Sequence, residues 1–323
     1  MIKVRIKLSL LLFIFIVTGC NKQSEWEVYN IPINNLIHQD DIIYKEINQI
    51  IRPDFISKSG NKILVLSSVS DTIIHEYDLE MSYVRNWGKK GHGPNEVSNF
   101  LMFCEGDPTD ESLYLWGFNP VMIYKYSQNT NNIFEKEEVF QLPYYAAFNY
   151  LNITKDSCFI YLDIDKLQIN KINLKTFEED KIEFKIDKDD RSSAFYSNRG
   201  VMATNSKYII YAYMYKNQID IYDKDDLTLK KRYIINDNGY KPKENNYNLI
   251  RYYTHVVSTD EYIYAYKVDS KERHSIEIFD FKGKNISKNI LSIPIPLYTV
   301  DENNKSIIGF NYSDENLAFI YKY

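Results

Sequence analysis

The sequence predicts an all-β fold, a six-bladed β-propeller of four-stranded antiparallel blades in which an N-terminal strand closes the last blade. Three observations predict it. The 323-residue chain is rich in strand-favouring aromatics, 29 Tyr and 17 Phe, and its short apolar runs alternate with polar residues instead of keeping a helical period. A strand-like peptide recurs six times, as IIHEYDL at Tyr77, MIYKYS at Tyr126, INKINL at Ile172, IDIYDK at Tyr222, IEIFDF at Phe279 and FIYKY at Tyr321, at intervals of 49, 46, 50, 57 and 42 residues. A period of about 40–50 residues carrying several short strands marks propeller blades, which bury their faces only against their neighbours. The sixth copy runs to Tyr323 and leaves its blade no room for an outer strand.

The elements follow in chain order. Residues 1–19 read as a secretory signal peptide, because Lys3, Arg5 and Lys7 precede an apolar run from Leu8 to Val17 broken only by Ser9. As a helix that run spans about 15 Å, half the hydrocarbon thickness, too short for a membrane anchor. Val17-Thr18-Gly19-Cys20 resembles the bacterial lipobox. The resemblance implies cleavage before Cys20 and a diacylglyceryl group on its thiol, with residues 20–24 as a tether and residues 25–323 as the propeller domain. Several acyl chains, at about 0.8 kcal/mol per buried methylene, hold a protein firmly to a membrane. Asn21 after the cysteine, in place of Asp, points by the enterobacterial sorting rule to the outer membrane of the cell envelope, with the leaflet left open.

Loss of residues 1–19 leaves 36 Lys and Arg against 44 Asp and Glu, a net charge of −8. This acidic balance argues against a nucleic-acid partner. Cys104, in LMFC, and Cys158, in SCFIYL, are too few for a disulfide framework. Their apolar settings are those of buried free thiols, with a single bridge between them as the alternative.

Upstream of each repeated peptide lies a second apolar strand: ILVLSS from Ile63, LYLWG from Leu113, CFIYL from Cys158, YIIYAY from Tyr208, YIYAYK from Tyr262 and SIIGF from Ser306. Two further β-like segments, EWEVYNIPI (25–33) and DIIYKEINQII (41–51), precede the first blade. Either supplies the strand the last blade lacks, which removes an unpaired edge.

WGKKGHGPNEV (87–97) follows the outer strand of the first blade and precedes the next inner strand near Phe100. A phosphate-binding glycine loop opens a helix after a buried parallel strand, and a P-loop ends in Gly-Lys-Ser/Thr. Neither context is present, so the glycines read as turn formers with Pro94 stiffening the approach to the next strand. The stretch also resembles the G-x-x-G-x-G-P-G-E-F signature of TolB-like six-bladed propeller lipoproteins of Bacteroides-type bacteria, relatives of NHL-repeat propellers. Gly88, Gly91, Gly93, Pro94 and Glu96 match, while Asn95 replaces a glycine and Val97 an aromatic. The resemblance implies the same fold and a cell-envelope location, and little chemistry.

His38, His75, His92, His255 and His274 show no HxH or HExxH spacing. The stretch INDNGY (235–240) places Ile234 where a calcium loop needs its first carboxylate, and DKDDR (187–191) and DKDD (223–226) read as acidic hairpin tips. No Gly-x-Ser-x-Gly nucleophile elbow occurs. No catalytic residue, metal or cofactor is therefore assigned.

A candidate ligand site lies where the inner strands begin around the channel. Arg52, Arg199 and Arg251 stand at comparable positions in three blades, Tyr144 and Tyr145 in another, and Lys89 and His92 just ahead of a further one. Arginines on an acidic protein make a local anion site, and tyrosines stack on sugars or peptides. The expected function is a lipid-anchored envelope binding or scaffold protein whose ligand is a glycan, peptide or partner protein. The alternatives are a metal-assisted lyase or hydrolase drawing on His92, His255 and carboxylates, and a structural subunit of a larger envelope assembly.

Overall fold

The computed structural model describes residues 27–323 other than 34, 40, 92, 94–95, 97–100, 105–112, 118–121, 129–133, 142–147, 155–157, 164–165, 184–197, 236–251, 270–271 and 315. Three short strands come first: β1 (Glu27–Ile31), β2 (Leu36–Gln39) and β3 (Ile42–Glu46). Blade 1 is β4 (Phe55–Ser59), β5 (Lys62–Leu66), β6 (Thr72–Tyr77) and β7 (Tyr83–Lys89). Blade 2 is β8 (Leu101–Cys104), β9 (Leu113–Gly117), β10 (Met122–Gln128) and β11 (Phe134–Gln141). Blade 3 is β12 (Phe148–Ile153), β13 (Cys158–Asp163), β14 (Gln168–Asn173) and β15 (Glu179–Glu183).

Blade 4 is β16 (Gly200–Thr204), β17 (Tyr208–Tyr213), β18 (Gln218–Asp223) and β19 (Leu229–Ile235). Blade 5 is β20 (Tyr253–Ser258), β21 (Tyr262–Val268), β22 (His274–Asp280) and β23 (Asn285–Leu291). Blade 6 has β24 (Leu297–Asp301), β25 (Ser306–Phe310) and β26 (Leu317–Lys322), and its fourth strand is β3, antiparallel to β26 with Ile42 opposite Tyr321. The fold is a six-bladed β-propeller, and the inner strands abut in a ring that returns from β24 to β4.

The period-two alternation of each strand sends its two faces to two neighbouring blades. In β18, Ile219 and Ile221 join Tyr253, Val256, Ile263 and Phe279 of blade 5, whereas Tyr222 of the same strand joins Ile160, Leu162 and Ile169 of blade 3. Among the described residues, most buried apolar side chains fall into six clusters, one for each junction between adjacent blades. Cys158 is a buried free thiol in blade 3.

The hairpins between third and fourth strands of blades 1, 3, 4 and 5 share a local device. Asp78, Asn173, Asp223 and Asp280 follow the repeated apolar peptide, and each side chain accepts backbone N–H bonds from the turn ahead of it, as Asp78 Oδ1 does from Ser82 at 2.7 Å and Asp280 Oδ1 from Lys284 at 2.8 Å. The acidic tip at 223–226 is one of these turns, with Asp226 held by Thr228 and Lys230.

The sequence anticipates four strands per blade, but blades 4 and 5 have five. β1 adds in parallel to the outside of β19, with Glu27 opposite Lys231, and β2 adds in parallel to β23, with Leu36 opposite Lys288. Residues 27–46 thus run as a strap over the rims of blades 4, 5 and 6 before entering blade 1. Tyr29 fixes the first turn of this path. Its ring meets Tyr233 edge-on at 5.5 Å and lies over Gly283, which has a φ of 82° and no room for a Cβ.

Gly283→Val forces a branched residue into the left-handed region and against the Tyr29 ring. The expected cost is about 1–3 kcal/mol, seen as a lowered melting temperature together with faster proteolysis within residues 27–39.

Candidate binding site at the mouth of the channel

In an antiparallel four-stranded blade, the link from second to third strand and the link from fourth strand to the next inner strand lie at the same end of the ring. Among the described residues singled out from the sequence, that end holds Arg52, Lys89 and Arg199. Blades 1 and 4 stand three apart in a ring of six, so Arg52 and Arg199 belong to opposite sides of the channel. Arg52 is bound locally: its guanidinium meets Asp54 at 3.1 Å, and the other oxygen of Asp54 accepts both the backbone N–H (2.6 Å) and the hydroxyl (2.5 Å) of Ser68. Lys90 donates to the carbonyl of Ser68 at 2.7 Å.

The glycine stretch is a self-filled loop. Glu96 folds back so that its carboxylate accepts the Gly93 N–H at 2.8 Å, while Lys89 stands 3.9 Å from the same carboxylate. A Cβ on Gly91 would collide with that carboxylate as it stands. Gly88 takes a φ of 74° at the end of β7. The backbone donor that could have met a phosphate is occupied by the chain's own acid. His92, Pro94, Tyr144, Tyr145 and Arg251 lie outside the described residues, as do 187–191 and 236–240.

Among the described residues, Arg199, Lys216, Lys267 and Lys288 lie where blades 4 and 5 meet. Asn198 and Arg199 lead into β16. The Arg199 carbonyl accepts the Met214 N–H at 2.8 Å, and the Met214 carbonyl accepts the N–H of Tyr252, the residue after Arg251, at 2.7 Å. Lys216 donates to Asn198 Oδ1 at 3.1 Å and lies over the Tyr213 ring at 4.7 Å. Lys267 donates to Asn217 Oδ1 at 3.0 Å and to Glu277 at 3.2 Å, and sits over the Tyr252 ring at 5.2 Å. Tyr253 donates to Glu277 at 2.8 Å, and Lys288 approaches the same carboxylate at 3.6 Å. Burial lowers the pKa of both Lys216 and Lys267, and the neighbouring acids Asp220 and Glu277 oppose it.

A second buried carboxylate stands at the matching place in blade 4. Asp220 takes a bidentate pair from Arg232, 2.7 Å on each oxygen, and further bonds from Tyr213 at 2.9 Å and Gln218 at 2.9 Å. Sequence reading missed Asp220, Glu277, Lys216 and Lys267. The one signal available was the acid in the middle of the repeated peptides IDIYD and IEIFD, where alternation calls for a buried residue.

His255, of the sequence-derived catalytic alternative, lies on the inner strand β20 with its ring edge-on to Tyr298 at 4.9 Å. Burial pushes its pKa down to about 4. Among the described residues, no group of three His, Cys, Asp or Glu side chains is close enough to hold a metal ion. Nor does any helix among them have the length and hydropathy to cross a membrane.

No known family profile matches the sequence, and no curated protein does. Solved structures do share the fold. BF0058 from Bacteroides fragilis, described as an exported protein, aligns with a TM-score of 0.60 and 10% identity over 91% of this chain and 98% of its own. U3-55K aligns at 0.54 and 9% identity, over 90% and 100% of the two chains. A streptogramin B lyase aligns at 0.50 and 9% identity, over 86% and 97%. At these identities the likeness is one of fold.

Two measurements probe this architecture. Asp220→Ala leaves Arg232 and Tyr213 without their buried acceptor, and the expected loss is about 3–5 kcal/mol of unfolding free energy by denaturant titration. His255 is held neutral, so its contribution is complete above the unfolded histidine value of about 6.5 and falls away as pH drops towards 4. Stability is expected to decline by about 2–3 kcal/mol across that window from this residue, and the part assigned to it should vanish in His255→Gln.

Proposed function

We propose that the protein is a lipid-anchored binding module of the cell envelope, held at the outer membrane through Cys20, whose ligand is an anionic glycan or peptide taken at the channel mouth over blades 4 and 5. The observation that carries this reading is the grouping of Arg199, Lys216 and Lys267 with Tyr252, Asn198 and Asn217 on adjoining blade ends. The chain as a whole is acidic, with a net charge of −5 before any processing. A positive mouth on a negative body draws anions to one place and keeps them from others.

Desolvated lysines favour a ligand that brings its own negative charge, because such a ligand restores the ion's partners without water. The tyrosine faces supply stacking surface for a sugar ring or a peptide plane. Arg52 and Arg251 complete the rim in this reading, Arg52 from the far side of the channel and Arg251 beside Tyr252. Lys89 belongs to the same site in this reading, as do His92, Tyr144 and Tyr145 from the links that precede blades 2 and 3. No cofactor is required for binding of this kind.

The test is recovery of ligands from native membranes on the lipidated protein, compared with Arg52→Ala/Arg199→Ala/Arg251→Ala. Charge-assisted bonds contribute about 1.5–3 kcal/mol each, so recovery of anionic glycan or peptide should fall at least tenfold while the melting temperature stays within a few degrees. Unchanged recovery by a folded triple variant rejects the site.

A further inference from the structure

The channel mouth has two unlike sides. Among the described residues, most large apolar side chains that stand in solvent lie on rim strands, and four lie in links: Ile51 at 62% exposed, Val69 at 44%, Tyr312 at 63% and Phe177 at 67%. Phe177 belongs to the hairpin between third and fourth strands of blade 3, at the far end of the ring. The other three lie at the mouth and on neighbouring blades. Ile51 is in the link from β3 of blade 6 to β4 of blade 1, Val69 in the link from β5 to β6, and Tyr312 in the link from β25 to β26. Exposed apolar side chains grouped in one place mark a contact site.

Asp54 fastens this side together. One oxygen of its carboxylate meets the Arg52 guanidinium at 3.1 Å and the other accepts the backbone N–H and the hydroxyl of Ser68, so the residues next to Ile51 and Val69 share one acid. The Asp54 N–H donates to the Leu66 carbonyl at 2.8 Å, and the Ser70 hydroxyl donates to Ser67 Oγ at 2.9 Å. Desolvation, and then the charge of Asp54, raise the pKa of the Tyr312 hydroxyl, which sets the tyrosine of blade 6 beside the same acid. Side chains carried on links tied in this way lose little freedom when a ligand arrives.

We infer that the ligand of the mouth is a peptide in two parts, an acidic segment taken by Arg199, Lys216 and Lys267 and apolar side chains taken by Ile51, Val69 and Tyr312. The inference rests on the anionic-ligand reading above and chooses among its ligands. The junction of blades 6 and 1 stands two steps around the ring from that of blades 4 and 5, so an extended chain laid across the mouth runs from one to the other. A glycan brings charge but no aliphatic side chain to Ile51 and Val69. An acyl chain calls for continuous apolar surface, yet Val69 stands between Ser68 and Ser70, Tyr312 between Asn311 and Ser313, and Ile51 beside Arg52. Hydrocarbon laid over those polar groups would strip their water and return nothing. A peptide carries amide groups between its apolar side chains, and so matches apolar points set among polar ones.

The experiment measures fluorescence anisotropy of labelled synthetic peptides on the full chain. The two-part peptide has three aspartates, a glycine–serine spacer made in a series of lengths, and a leucine–phenylalanine–leucine end. One control replaces the apolar end by serines, and another replaces the aspartates. Oligogalacturonate and dodecyl phosphate serve as the glycan and acyl probes. The best two-part peptide should bind about tenfold more tightly than any of these, because burial of its apolar end adds to charge pairing. Ile51→Ser/Val69→Ser/Tyr312→Ser should lower it to the level of the serine control, leave that control unchanged and keep the melting temperature within a few degrees. Arg199→Ala/Lys216→Gln should weaken both peptides about tenfold.

Equal binding of the two-part peptide and its serine control at every spacer length overturns the two-part ligand and leaves the anion site standing, as does undiminished binding by the folded serine variant. Tighter binding of oligogalacturonate or dodecyl phosphate than of any peptide overturns the peptide and assigns the mouth to a glycan or a lipid. Failure of every acidic probe to bind, or an apolar end that binds as well without its aspartates, overturns the anionic-ligand reading too.

Discussion

The structure depends on the apolar junction that joins its last blade to its first. Ile63, Val65 and Tyr77 of blade 1 pack with Leu297, Ile308, Phe310, Ala318 and Ile320 of blade 6, and Ile47 and Ile50 of the intervening link close over them. Each fully buried aliphatic side chain contributes about 1.5–3 kcal/mol. An open ring would expose the facing surfaces of two blades at once. The link that seals this junction is continuous with β3, which fills the outer place in blade 6 before the chain turns inward to β4. Pairing of β26 and packing between blades 6 and 1 are therefore two consequences of one stretch of chain.

Six similar sheets raise a second problem, the choice of register. Apolar side chains of similar size fit many alignments, but buried charges fit few. Asp220 lies opposite Arg232, and Glu277 opposite Lys288, in the same third-to-fourth-strand relation. At the matching place in blade 6, Phe319 lies opposite Tyr44, with their rings 5.6 Å apart. A slip of one residue would turn either acid to the other face of its sheet and leave it buried without its base. Breaking a buried pair in that way costs about 3–5 kcal/mol, more than the pair adds when formed. These pairs exclude wrong alignments more than they strengthen the right one.

Much of this was legible from residues close together in sequence. The third strand of each blade announced itself because alternation is a local feature, and in four blades an Asp or Asn that begins the turn follows at once: the apolar face of IDIYD and the turn at Asp223 are both written within six residues. The glycine stretch could be placed for the same reason, although nothing local showed that Glu96 would fold onto Gly93. The strap was not legible, because parallel addition of β1 to β19 pairs residues some two hundred positions apart and leaves no periodic trace. The proposed site was only half legible. Arg199 stood at a recognisable place, but Lys216 and Lys267 acquire their meaning from Asn198, Tyr252 and Glu277, which only the ring brings to them.

The wedge formed by blades 4 and 5 is tied together along its whole depth. On the outside, Tyr29 of the strap sits on Gly283, and Lys231 of blade 4 donates to the Phe281 carbonyl of blade 5 at 2.6 Å. At the hairpin end, Asn205 donates to the Thr259 carbonyl at 2.8 Å, and the rings of Tyr208 and Phe281 stack at 5.2 Å. Between the sheets, Asn217 of blade 4 accepts from both Tyr253 and Lys267 of blade 5. A side chain mounted on such a support loses little further freedom when a ligand arrives, because the ordering cost has already been met in folding. Lys216 and Lys267 are held in this way by Asn198 and Asn217, with ring faces beneath them. The strap adds to the same junction from outside, by pairing with the outer strands of blades 4 and 5.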